Sequence, residues 1–74
     1  MSTIVTGYVE RKELAGGAWA LKSDAGKTYE LMNPPADLTA TKDKVKVTGN
    51  IRGDVMTIAM IGPVLEVIAF EKLG

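Results

Sequence analysis

Cysteine and histidine are both missing from this chain. Without thiolate or imidazole there is no disulfide, no zinc site of the Cys/His kind, and no nucleophile activated by a histidine base. An excess of one charge is missing too, since nine Lys and Arg balance nine Asp and Glu and the formal net charge is zero. A neutral chain lacks the long-range field that steers proteins toward nucleic acid or an anionic membrane. Long hydrophobic runs are also lacking. The longest, residues 55–70, is broken by Gly62-Pro63 and carries Glu66, short of the roughly 20 apolar residues a spanning helix needs, so no membrane insertion is expected. Glu10, Arg11, Lys12 and Glu13 interrupt the first fifteen residues, which therefore do not form the apolar core of a secretory leader. As written the chain reads as cytoplasmic; an envelope or secreted location would follow if a leader had been removed.

What remains is a chain of 74 residues, expected to form one domain over residues 1–74. At this size only about 60% of the unfolded chain's surface can be buried. Stability must then come from β-packing or from self-association.

Strand signals dominate, because β-branched and aromatic residues recur in short runs bounded by Gly, Pro, Asn and Asp. The first run covers residues 3–14, with Val5, Gly7 and Val9 on one face and Ile4, Thr6 and Tyr8 on the other; Gly7 is placed to bend it. After Gly16-Gly17, residues 18–22 and 28–32 form a hairpin around Asp24-Ala25-Gly26-Lys27. Trp19 shares phase with Leu21, and Tyr29 with Leu31, so both aromatics are expected to point inward. Asn33-Pro34-Pro35 cannot continue a ladder but suits the entry to a short helical turn at residues 36–40.

Residues 44–51 alternate most cleanly, with Val45, Val47, Gly49 and Ile51 opposite Lys44, Lys46, Thr48 and Asn50. Arg52-Gly53-Asp54 then turns the chain into residues 55–61, and Gly62-Pro63 into residues 64–73. In this last ribbon alternation fails, and both faces read as apolar. A miniature barrel has one interior, so the first strand, the Pro-rich crossover or a second copy of the chain should cover the remainder.

A long first strand, a hairpin, a Pro-containing crossover and a final β pair is the element order of a five-stranded OB-type barrel. The wording of Gly17-Ala18-Trp19-Ala20-Leu21, Asp24 through Pro35, Val45-Lys46-Val47-Thr48-Gly49, and Met60-Ile61-Gly62-Pro63-Val64-Leu65-Glu66-Val67 resembles a group of short bacterial OB-like proteins and lipoproteins. The resemblance implies a fold: an all-β, five- or six-stranded OB-like Greek-key barrel with a short helical turn in the crossover. It implies no chemistry, because the shared residues are turn and core residues. The lipoprotein members carry a leader and a lipid-bearing cysteine, and this sequence has neither.

Catalysis is not expected. Asp24, Asp37, Asp43 and Asp54 fall at or near turns, where acidic residues sit for backbone reasons. No calcium loop or phosphate-cradling glycine loop is present, so no metal or other cofactor is expected. Arg52-Gly53-Asp54 matches an adhesion tripeptide, but a three-residue match is expected by chance and these residue types suit a hairpin turn, which is the expected role. Two functional expectations remain. The first is a non-enzymatic interaction module, a homodimer or a binder of another protein, using Val55, Met56, Ile58, Met60, Val64, Ile68 and Phe70 of the apolar ribbon. The alternative is single-stranded nucleic-acid binding on Trp19 and Tyr29, with Tyr8, Lys22, Lys27, Lys44, Lys46 and Arg52 around them. Zero net charge and the inward phase of both aromatics count against it.

Overall fold

The computed structural model describes residues 2–13, 17–54 and 61–74. Five strands and one short helix follow one another as β1 (Thr3–Lys12), β2 (Ala18–Ser23), β3 (Thr28–Met32), α1 (Ala36–Ala40), β4 (Val45–Ile51) and β5 (Val64–Lys72). Their lateral order is β1-β2-β3-β5-β4, closed by β1 bonding to β4. All pairings are antiparallel except β3 with β5. This is the small all-β, OB-like barrel expected from the order of elements. The expected strand at residues 55–61 falls almost wholly outside the described residues, as does Leu14 at the expected end of β1.

β1 serves two neighbours because it bends. Residues Thr3 to Gly7 pair with β4 and Gly7 to Lys12 with β2, so Gly7 faces Val45 on one side and Ser23 on the other. The β2–β3 hairpin turns where Gly26 adopts φ +87°, a left-handed conformation that costs glycine no steric penalty. Ser23 ties the turn down. Its hydroxyl donates to the Lys27 carbonyl at 2.7 Å and accepts from the Lys27 N–H at 3.1 Å. Asn33, at φ 54°, turns the chain out of β3, and Pro35 stands at the N-terminal cap of α1.

The expected phases hold. Val5, Leu21, Leu31, Val45, Val47 and Leu65 point inward and form one buried cluster with Leu38, the single buried residue of α1. Val9, Trp19, Tyr29, Val67 and Phe70 pack against it from the barrel ends and seams. Each fully buried Leu or Val supplies about 1.5–3 kcal/mol of transfer free energy.

β5 holds the explanation for the failed alternation. Gly49 pairs with Val67 while Thr48 pairs with Ala69, so Ile68 is an extra residue without an opposite number on β4. Such a bulge shifts the side-chain phase by one. Leu65 and Val67 point inward before it and Phe70 after it, leaving Ile68 and Ala69 together on the outside.

Candidate functional site

Outward-facing positions on β1, β4 and β5 form cross-strand rows whose composition follows from the register. Ile4 of β1 stands beside Thr48 of β4, which stands beside Ala69 of β5, with bulged Ile68 next to it. The next row is Thr6, Lys46 and Glu71. Beyond it lie Tyr8, Lys44 and Leu73, the Leu73 N–H donating to the Lys44 carbonyl at 2.8 Å. Large apolar side chains reach solvent here: Ile4 is 62% exposed, Ile68 60%, Tyr8 52% and Leu73 48%. Ile51, at the end of β4, is the remaining exposed large hydrophobic residue among those described. Four of five on one arc of the barrel amount to a patch rather than scatter.

Of the residues expected at an interface, Val55, Met56, Ile58 and Met60 lie outside the described residues. Val64 is buried and Phe70 packs on the core, whereas Ile68 is exposed. The barrel thus divides the described part of the ribbon, and the exposed part joins β1 rather than standing alone. Ile4, Ala69, Glu71 and Leu73 were not singled out from the sequence. The outward phase of Ile4 was readable, but its neighbours were not, because they come from β4 and, through the bulge, from β5.

The aromatic pair proposed for nucleic acid has a different setting. Trp19 and Tyr29 are partly buried against the core. The Arg11 guanidinium lies 5.8 Å from the Trp19 ring centroid and the Lys27 ammonium 5.5 Å from that of Tyr29. A cation already occupies a face on which a base would stack. Lys44 is engaged as well, its Nζ standing 2.6 Å from Asp24 Oδ2. Its pKa is raised, first by that hydrogen bond and against the opposing effect of desolvation. Lys22, Lys27 and Lys46 are exposed, and Lys22 stands directly across from Tyr8.

Arg52-Gly53-Asp54 is tied to itself. Arg52 donates from Nε to Asp54 Oδ1 at 3.0 Å and from Nη2 to Asp54 Oδ2 at 2.8 Å, a two-pronged pairing, while Nη1 reaches Glu66 of β5 at 3.2 Å. Both charges of the tripeptide are spent on one another, as a turn requires and an extended adhesion motif does not. The hydrogen bonds from Arg52 hold the Asp54 carboxyl down from its ordinary 3.8 to about 2, and the carboxylates raise Arg52 in turn. A depressed carboxylate pKa contributes stability that is present above the unfolded value and is lost as pH falls toward the folded one. An NMR titration should therefore find the Asp54 midpoint near 2, returning toward 3.8 in Arg52→Gln; an ordinary midpoint in the unaltered protein would break the clamp.

A cleft of about 230 Å³ lies between residues 4–6 of β1, turn residues 23–25 and the Tyr29 ring. This is below the roughly 300–1,000 Å³ of small-ligand pockets, and its carboxylate, Asp24, is held by Lys44. Among the described residues, no helix is long and apolar enough to cross a membrane. Comparison with protein-family models, with curated proteins and with solved structures gives no match to this chain.

Proposed function

We propose that this domain is a non-enzymatic interaction module that associates with a second copy of itself through the outer face of β1, β4 and β5. The observation that carries the reading is the gathering of Ile4, Ile68, Tyr8 and Leu73 on one arc. The closed strand order supports face-to-face docking, because among the described residues every strand has a neighbour on each side and no whole edge is left for strand addition. Three strands at about 4.8 Å spacing make a footprint about 15 Å wide. Such a footprint stays below the roughly 800 Å² per partner of a standard interface, so the association is weak and reversible.

Sedimentation equilibrium up to about 1 mM, the concentration range of weak complexes, should show a monomer–dimer equilibrium. Ile68→Lys should suppress it with little change in thermal midpoint, since an exposed side chain contributes little to the core. A wild-type protein that stays monomeric at the top of that range would end the reading.

One observation favours a second reading. Tyr8 is half exposed with Lys22 across from it and Lys46 nearby on the same face, a small stacking platform with basic flanks. Glu71 beside Lys46 and Asp24 on Lys44 offset those charges. Single-stranded oligonucleotide binding that falls steeply with salt and vanishes in Tyr8→Ala would favour it; no binding at low salt would remove it.

A further inference from the structure

We infer that the β1–β4–β5 face docks on its copy across a two-fold axis between β4 and β5, each Lys46 meeting the partner's Glu71. The inference rests on the self-association reading and adds the register. It starts from the middle row of the face, where Lys46 and Glu71 are cross-strand neighbours, both exposed. Among the described residues neither joins an ion pair within 4.0 Å, although Arg11, Lys12, Lys44 and Arg52 all do. One positive and one negative group, adjacent and uncommitted, form the smallest charge pattern that is complementary to itself under a two-fold rotation.

The rows on either side obey the same operation. Thr48 and Ala69 lie two residues from Lys46 and Glu71 in one direction, and Lys44 and Leu73 lie two residues away in the other. Rotation by half a turn about an axis that lies in the contact plane, runs along the strands and passes between Lys46 and Glu71 lays each pair over the same pair of the partner with the strands exchanged. Leu73 then falls over the aliphatic stem of the partner's Lys44, while Ala69, with Ile68 beside it, falls over the partner's Thr48. Leucine meets the methylenes of a lysine stem and alanine meets the threonine methyl, and the ammonium held by Asp24 stays at the rim. Zero net charge permits two copies to approach without overall repulsion.

Charge exchange in trans tests the register. Lys46→Glu and Glu71→Lys, each alone, place like charges at both crossing points and should weaken self-association about tenfold or more. An equimolar mixture of the two variants should restore wild-type association as a heterodimer. Pairing within one chain cannot produce that rescue. Because these variants carry opposite net charge, Lys42→Glu mixed with Glu71→Lys is the control; Lys42 lies in the α1–β4 connection, one crossing point of that heterodimer stays like-charged, and at 150 mM salt its heterodimer should not regain wild-type strength, although Lys42→Glu pairs with itself as wild type does. Rescue in the first mixture alone carries the register. Single variants that dimerise like wild type, with Ile68→Lys still disruptive, would overturn the register and leave the docking face standing. A monomeric wild type would remove both.

Discussion

Gly7→Ala should leave the protein unfolded or close to it at 25 °C. A Cβ on Gly7 would lie 2.0 Å from the Lys22 carbonyl oxygen and 2.8 Å from both the Lys22 carbonyl carbon and the Ser23 Cα. All three atoms are backbone, so no rotamer change can relieve the contact; β1 and β2 would have to separate. They meet at the residue where β1 passes from one partner strand to the other, so separation opens the barrel. A 74-residue domain holds roughly 4–11 kcal/mol in total at about 0.05–0.15 kcal/mol per residue. Loss of more than about 3 kcal/mol, expected when backbone must move in a packed sheet, consumes most of the lower end of that range. Gly53→Ala is the matched control, because among the described residues a Cβ there meets nothing within 4 Å, and it should unfold in urea at the wild-type midpoint. A Gly7→Ala protein with that same midpoint would show that the strands do not approach so closely.

Leu38→Ala should cost about 2–5 kcal/mol, the range for emptying a buried leucine site. The helix that carries it has five residues, Pro35 at its N-terminal cap and no side-chain cap, and a helix so short has no stability of its own in water. Leu38 is fully buried in the core cluster while the rest of α1 is exposed or partly so. Its side chain therefore anchors the crossover as well as filling the interior. Two changes are expected together: a lower urea midpoint, and faster exchange of the Thr41 amide, which donates to the Leu38 carbonyl at 3.3 Å. Leu38→Met keeps the volume and should lose less than about 1.5 kcal/mol. If Leu38→Ala cost less than about 1 kcal/mol, the crossover would be held by something other than this residue.

The sequence made much of this architecture readable and one decisive part of it unreadable. Pro34-Pro35 marked α1, Gly26 marked the hairpin turn, and the phases of Val45 and Val47 marked the inward side of β4, because each is a local rule written in adjacent residues. Trp19 and Tyr29 were placed against the core by the same means. The cross-strand neighbours of Ile4 depend on barrel closure, which joins residues far apart in the chain and leaves no local sign. The bulge at Ile68 is harder still. An inserted residue in an apolar run looks like any other member of that run, so residues 64–70 read as a ribbon greasy on both sides. Part of that appearance is a phase shift: Leu65, Val67 and Phe70 all reach the interior although 67 and 70 differ in parity. The face that results needed the register of three strands at once.

The place of β5 in the barrel has a consequence for how the molecule comes into being. Of the five described strands it comes last in sequence, yet it lies between β3 and β4, the two that the helical crossover separates. Until the ribosome has released those residues, the nascent polypeptide has two open flanks and an uncovered Leu31 and Val47. Closure is then a single late event linking distant segments, slow by topology, with an interval of vulnerability to unwanted strand pairing.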